Sequence, residues 1–200
     1  MRPVKRLPSI TAAAIAAMVS FPLVANSLVA PGPRPGIAKS TLSAKPAGEW
    51  NKLSPRFDGK NVEIWTIDGD ALNKVSFYGG IATGEPLLRE VDKTNQPLPK
   101  VAANMIMTDI PALLESTYRS QHKVDQMAID VQEPAMLGSN KAIRFTYTFT
   151  RSDDQVLRKG EGIGTLANGK LYLVTYEAPA LYYFDKDVEK YRQLVTTLAL

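Results

Sequence analysis

The chain has 200 residues, with 24 lysines and arginines, 20 aspartates and glutamates, one histidine and no cysteine. This length allows one core-forming domain with additional segments, and the lack of cysteine excludes disulfides, thiolate metal sites, cysteine nucleophiles and a lipid-bearing lipoprotein cysteine. The net charge is +4, of which the first 48 residues contribute +6 and residues 49–200 contribute −2. Because a nucleic-acid binder needs a concentrated basic face, that class is excluded.

The first 25 residues have the pattern of a secretory signal peptide. Arg2, Lys5 and Arg6 precede an apolar run from Ile10 to Ala25, which ends on the small residue expected at a cleavage site. We therefore predict export to the periplasm or out of the cell. The alternative is an uncleaved N-terminal anchor, which would be the only membrane contact. The run is shorter than the ~20 apolar residues of a spanning helix.

Residues 26–48 are rich in proline, glycine, serine and alanine, which is the composition of a flexible or extended tether. The folded domain is expected to begin near Glu49 and Trp50, where the composition becomes more varied. The predicted organisation is thus a signal peptide (1–25), a tether (26–48) and a single α+β domain (49–200). We find no internal repeat.

The first half of this domain is predicted to contain two strands, a loop and a helix. The segment NVEIWTIDG predicts a strand ending in a turn at Asp68-Gly69, and ALNKVSFYGGI predicts a second strand ending at Gly79-Gly80. Prolines mark the following stretch as mostly loop. The segment TDIPALLESTYRSQH then has the apolar spacing of a helix, with Asp109 as its N-cap.

The second half is predicted to form a strand meander closed by a helix. Residues 127–131 and the segment AIRFTYTFT alternate apolar and polar side chains, as half-buried antiparallel strands do. Turns at SDDQ and at Asn168-Gly169 return the chain twice, and an amphipathic helix follows from about Asp185. The predicted fold class is α+β, with an antiparallel sheet sandwiched with helices.

Three glycines alternate in the segment KGEGIGT, and two interpretations compete for them. A phosphate-binding loop would place them at a turn from a strand into a helix, but a hairpin turn follows them here. If SDDQ is a four-residue loop, large side chains on the preceding strand cover the glycines, and a helix can approach that face closely. We favour this packing interpretation. Its register pairs Tyr147 with Gly160, Phe145 with Gly162 and Ile143 with Gly164.

The same register places polar and aromatic side chains on the opposite face of the sheet. The interpretation we favour is an ordinary solvated face, partly covered by the N-terminal strands. The alternative is a surface for a protein partner, because tyrosine beside arginine and glutamate is typical of interfaces. The candidate partner surface comprises Arg144, Lys159, Glu161, Tyr172 and Tyr176.

No catalytic, cofactor or metal-binding pattern is found in the sequence. The single histidine, His122, lies near the end of a predicted helix and has no G-x-S-x-G motif to act with, so we predict a surface role for it. Asp153 and Asp154 belong to a predicted hairpin loop, and Asp185 and Asp187 open the last helix. A hydrolase is therefore the least favoured class.

An aromatic cluster, Tyr182, Tyr183 and Phe184, stands between the last strand and the last helix. We favour its interpretation as a staple that fixes how the helix enters the core. The alternative is the lining of a small apolar pocket, which would make the chain a carrier of small apolar ligands.

The order of elements resembles the PsbP-like α/β sandwich superfamily over about residues 108–200. The resemblance is carried by the helix IPALLESTYRS, the strands AIRFTYTFT and KGEGIGTLANGKLYLVTYEAP, and the closing helix FDKDVEKYRQLVTTL. In style the chain is closest to bacterial envelope proteins of the DcrB type, although it lacks their lipid-bearing cysteine. The resemblance implies a non-catalytic binding or assembly factor, with another envelope protein as its partner and without a cofactor.

Overall fold

The computed structural model describes residues 26–54, 58–121 and 123–200. These ranges form one antiparallel sheet, two α-helices and two short 3-10 turns. The predicted signal peptide and His122 lie outside the described residues. The strands are β1 (Ser27–Val29), β2 (Trp50–Lys52), β3 (Val62–Thr66), β4 (Lys74–Ala82), β5 (Val124–Leu137), β6 (Asn140–Arg151), β7 (Arg158–Ala167) and β8 (Lys170–Pro179). The helices are α1 (Ile110–Gln121) and α2 (Tyr183–Val195), and the 3-10 turns are Ile37–Lys39 and Met107–Asp109.

The strand order is β1-β2-β3-β4-β8-β7-β6-β5, so the two halves of the chain meet where β4 pairs with β8. Strand β8 is central and apolar on both faces, which is the pattern of a strand covered from both sides. Leu171 and Leu173 belong to the core cluster under α1, whereas Tyr172 and Val174 belong to the cluster under α2. The described residues therefore form a helix–sheet–helix sandwich, as the predicted fold class requires.

The predicted register of the meander is confirmed at all three glycines, which face Tyr147, Phe145 and Ile143 on β6. The Tyr147 ring fills the space that a side chain at Gly160 would need, and the Phe145 ring does so at Gly162. At Gly164 the helix comes close, since an added Cβ atom would lie 2.9 Å from Ile110 Cγ2. The packing interpretation is thus confirmed for these glycines.

The segment 26–48 packs onto the domain, and the prediction of a flexible tether is wrong for it. Leu42 is fully buried, and Ile37 and Ala44 are buried beside it. Ser43 forms an antiparallel bridge with Ala199 near the C-terminus. The small and apolar residues of this proline-rich stretch pack against the same face of the sheet as α2. Together the two segments bury the apolar side chains of that face. The folded part of the chain therefore already includes residue 26.

Two strands differ in detail from the prediction. Strand β4 does not end at Gly79-Gly80 but continues to Ala82, with an irregular register between Tyr78 and Ile81. Strand β5 contains a register shift before Val131, which leaves that side chain exposed. Such bulges re-aim side chains on one strand of a pair, and alternation in the sequence does not reveal them.

Both helices begin close to their predicted starts. Helix α1 follows Asp109 directly, but the Asp109 carboxylate accepts its hydrogen bond from the preceding Ile106 N–H at 2.9 Å. Helix α2 begins at Tyr183, two residues before the predicted start at Asp185. The loop between β4 and α1 has no regular strand or helix before Met107, in agreement with its prolines.

Candidate functional site

The predicted partner surface is covered in this structure. Glu161, Tyr172 and Tyr176 are buried, because α2 and the segment 26–48 lie on their face of the sheet. Tyr191 of α2 stacks on Tyr176 with ring centroids 5.5 Å apart. Neither a solvated face nor a partner surface at these residues is compatible with this burial. Of the five predicted residues, Arg144 is exposed and Lys159 is half-buried.

Glu161 shows why polar residues on this face are not free for a partner. Its carboxylate is nearly buried and accepts hydrogen bonds from Nε and Nη2 of Arg192 on α2, the first at 3.1 Å. A buried carboxylate needs such a partner, because it has lost its hydration. The pair therefore holds the helix on the sheet.

The aromatic cluster divides into a buried part and an exposed part. Phe184 packs into the core against Tyr176, with ring centroids 5.4 Å apart, in the manner of a staple. This burial in the core agrees with the staple interpretation of Phe184. Tyr183 is half-buried, and Tyr182 stands in solvent.

The backbone at Tyr182 is strained. Its φ and ψ angles are 70° and −55°, and the Tyr183 N–H donates to the Leu181 carbonyl at 2.9 Å. This geometry is that of a classic γ-turn, a rare and strained conformation for a residue other than glycine. The turn holds Leu181 at 87% exposure and Tyr182 at 65%.

A second exposed apolar pair lies beside this turn. The Ala180 N–H donates to the Leu157 carbonyl at 2.8 Å, which brings the start of β7 next to the end of β8. The exposed apolar residues before β7 and after β8 therefore lie at the same end of the sheet, next to each other in the backbone. We call this group the apolar rim: Val156, Leu157, Leu181 and Tyr182.

A cavity of about 190 Å³ lies next to the apolar rim, with Pro179 in its wall. We call it the charged pocket, because six of its lining residues are ionisable acids and bases. It is formed where the ends of β4, β6, β7 and β8 approach α1. The charged residues that line it are Asp70, Lys74, Arg151, Asp154, Arg158 and Glu177.

One row of paired residues across four strands leads to the inner wall of the pocket, which Glu177 and Lys74 line. Tyr147 on β6 faces Gly160 on β7, Gly160 faces Glu177 on β8, and Glu177 faces Lys74 on β4. Because Gly160 has no side chain, the Tyr147 ring crosses it and donates from its hydroxyl to Glu177 Oε1 at 2.8 Å. The glycine is thus what brings tyrosine and glutamate together.

The Glu177 carboxylate is buried and surrounded by donors. The Tyr118 hydroxyl of α1 also donates to it, and the Lys74 ammonium lies 3.4 Å from its other oxygen. Burial raises the pKa of both tyrosines, and the nearby Glu177 charge raises it further. The two hydroxyl groups therefore stay protonated and act as fixed donors near neutral pH.

The outer wall contains two arginines, which differ in the hydrogen bonds that their guanidinium groups make. Arg158 donates to both oxygens of Asp154 and lies over the Phe149 ring, and it holds the pKa of Asp154 well below the usual range. Arg151 Nε is buried and makes no well-aligned hydrogen bond with any of the described residues. It is ion-paired with Asp153, whose Oδ1 lies 3.5 Å away.

These groups suit binding better than acid–base chemistry. A general base needs a pKa near the working pH and a free lone pair, whereas the tyrosines are protonated and Glu177 accepts from both of them. Within residues 26–54, 58–121 and 123–200, no cluster of three acidic or histidine side chains is placed to hold a metal ion. No helix in those ranges is long and apolar enough to cross a membrane.

The sequence interpretation missed the residues of the pocket. Lys74, Arg151 and Glu177 come from three different strands and share no motif. The sequence nevertheless contains a signal for Glu177. It lies an even number of residues along β8 from the buried Leu171 and Leu173, so it points to the same face of the sheet. A glutamate on the inward face of a central strand predicts a buried carboxylate with polar partners.

No protein-family model matches the sequence, and a search of curated proteins gives no match. Among solved structures, the solution structure of cyanobacterial PsbP (CyanoP) from Synechocystis sp. PCC 6803 is similar, with a TM-score of 0.51 and 14% identity over 94% of this chain and 98% of that one. This likeness shows the fold, which is PsbP-like, as the resemblance of the sequence predicts. LpqN, involved in cell envelope biogenesis of Mycobacterium tuberculosis, gives a TM-score of 0.33 and 9% identity over 88% of this chain and 84% of its own, a likeness too distant to carry an argument.

Proposed function

We propose that this chain is an exported, non-catalytic protein of the cell envelope that binds another envelope protein through the apolar rim. The observation that carries the proposal is the strained turn that holds Leu181 and Tyr182 in solvent. Exposed large apolar side chains that lie together mark interaction surfaces. Strained residues cluster at functional sites, so an observed backbone outlier supports a functional hypothesis.

The chemistry beside the rim defines the kind of partner. Arg151 and Lys74 lie in the adjoining pocket and remain partly accessible to solvent, with side-chain exposures of 32% and 22%. A protein that covers the rim would therefore also meet two cationic groups, each paired with an acid: Arg151 with Asp153 at 3.5 Å and Lys74 with Glu177 at 3.4 Å. The matching surface is apolar and is flanked by an acidic residue, since complementary charges favour the correct partner over others.

Export is supported by the sequence of residues 1–25, which has the charged and apolar regions of a signal peptide. A non-catalytic role is supported by the internal engagement of Glu177 and of the tyrosine hydroxyls that contact it. The alternative of a carrier with a pocket at Tyr182, Tyr183 and Phe184 has less support, since Phe184 belongs to the core.

The experiment that tests the proposal is crosslinking in cells from a photoreactive residue at position 182, with mass spectrometry of the captured proteins. A matched control places the same residue at Val91, an apolar side chain that is 83% exposed in the loop after β4. We expect one dominant envelope protein from position 182, none from position 91, and loss of the capture with Leu181→Asp.

Two results would contradict the proposal. If position 182 captures the same proteins as position 91, the apolar rim is not a docking surface. If cell fractionation finds the protein in the cytoplasm, and deletion of residues 2–25 does not change its location, the exported role is wrong.

A further inference from the structure

The charged pocket holds donors that the fold does not use. Arg151 Nε makes no well-aligned hydrogen bond with the described residues although the atom is buried, and its ion-pair partner, Asp153 Oδ1, lies 3.5 Å away. A buried N–H group that has lost its water and makes no good hydrogen bond is unfavourable. The remaining guanidinium is accessible at the pocket wall, so a ligand that enters the pocket could supply this acceptor.

Lys74 is the second donor with capacity left. Its ammonium lies 3.4 Å from Glu177 Oε2, and Glu177 also accepts from two tyrosine hydroxyls. An ammonium has three N–H groups, so contact with Glu177 leaves donors directed elsewhere. Arg158 differs from both, because Asp154 and the Val156 carbonyl already accept from it.

We propose that the charged pocket binds a carboxylate group, held by the guanidinium of Arg151 and the ammonium of Lys74. The planar guanidinium of arginine matches a carboxylate with two parallel hydrogen bonds. The cavity of about 190 Å³ accommodates a group of this size together with a short stem. This site lies beyond the apolar rim, and its existence does not depend on a protein partner at the rim.

The charge of the pocket favours a monoanion. Three acidic residues, Asp70, Asp154 and Glu177, line the same cavity as the three basic residues. A phosphate carries between one and two negative charges near neutral pH and would face the repulsion of all three carboxylates at short range. A carboxylate adds a single charge, and Arg151, whose ion pair with Asp153 spans 3.5 Å, keeps guanidinium donors for it.

Two sources supply such a group: a small free carboxylate, or the side chain of a glutamate or aspartate on a protein that covers the apolar rim. The chemistry in the pocket is the same for both. They differ outside it, because only the protein source also contacts Leu181 and Tyr182, which are the exposed tip of the rim.

The test is an NMR titration of the purified protein with acetate, with inorganic phosphate and with the peptide acetyl-Leu-Glu-Leu-amide, all at one ionic strength set with sodium chloride. The readout is the Nε–Hε resonance of Arg151 and the backbone amides of Ala71 and Ala178, which line the pocket. We expect saturable shifts with acetate and the peptide, and at least tenfold weaker binding with Arg151→Gln. Arg151→Lys keeps the positive charge but lacks the planar guanidinium. Its affinity should lie between that of the original protein and that of Arg151→Gln.

The matched control is Arg144→Gln, which removes an exposed arginine outside the pocket that pairs with Glu133 at 3.3 Å. It should leave the titration unchanged. Tighter binding of the peptide than of acetate, with added shifts at residues 181 and 182, identifies a protein side chain as the source, and equal affinities identify a free carboxylate.

The proposal is overturned if acetate and the peptide produce no saturable shift at Arg151, or if phosphate binds more tightly than both. It is also overturned if Arg151→Gln, with an otherwise unchanged spectrum, binds as well as the original protein. None of these results bears on crosslinking from position 182, so failure of the pocket and failure of the rim are distinguishable.

Discussion

Gly160 connects the packing of the sheet to the charged pocket. Its missing side chain gives the Tyr147 ring the room to cross β7 and reach Glu177. A Cβ atom at this position would overlap the ring carbons of Tyr147. The ring cannot move aside freely, because it is buried in a close-packed core.

Gly160→Ala should therefore lower the free energy of unfolding by about 1–3 kcal/mol, the usual cost of overpacking a close-packed core. The measurement is urea unfolding followed by circular dichroism. The matched control is Gly48→Ala, where nothing lies within 4 Å of an added Cβ and the backbone is not left-handed. That change should be neutral or slightly stabilising. Equal effects of the two substitutions would show that the Tyr147 ring does not depend on the glycine.

At the scale of elements, the segment 26–48 acts as part of the sandwich. It lies on the face of the sheet that α2 covers only in part, and Thr41 Oγ1 and Tyr172 Oη are 3.0 Å apart there. The Ala38 N–H also donates to the Glu63 carboxylate at 3.1 Å, which connects the segment to β3. A tether would make neither of these contacts.

Leu42→Ala tests this role of the segment. Leu42 has no exposed surface, so its truncation should cost about 2–5 kcal/mol, as for other buried leucines. Leu28→Ala, at a leucine in β1 that is 60% exposed, should change the stability by about 0.5 kcal/mol or less. Thermal and urea unfolding measure both. If Leu42→Ala were as mild as Leu28→Ala, the segment would be a tether after all.

The sequence predicts the elements that local rules determine. Alternation in β6 and the Asn168-Gly169 turn set a register that also places Glu177 opposite Gly160. The segment 26–48 was missed because its proline and glycine content is typical of linkers, while its burial depends on a sheet face formed by residues far along the chain. The pocket was missed for the same reason, since Arg151 and Lys74 meet only through tertiary pairing.

At the scale of the whole molecule, the two core layers are rich in buried tyrosine. The pKa of five of the eight tyrosines is raised, mainly by burial: Tyr78, Tyr118, Tyr147, Tyr176 and Tyr191. They occupy both faces of the sheet, so their protonation affects the entire sandwich and not one site.

This distribution predicts cooperative unfolding in alkali. A tyrosine in the unfolded chain loses its proton near pH ~10, whereas these five keep it in the folded state. Above that pH the unfolded state binds fewer protons, so stability that is fully present below pH ~10 is lost as the pH rises. Each buried tyrosine adds a slope of up to about 1.4 kcal/mol per pH unit.

We expect phenolate absorbance and loss of circular dichroism to rise together in a pH titration. Tyr191→Phe should reduce the slope of stability against pH, because the Tyr191 hydroxyl is buried and donates to the Val174 carbonyl, whereas Tyr182→Phe at the exposed rim should not. Full ionisation of all tyrosines while the protein remains folded would contradict the prediction and would mean that water reaches both core layers.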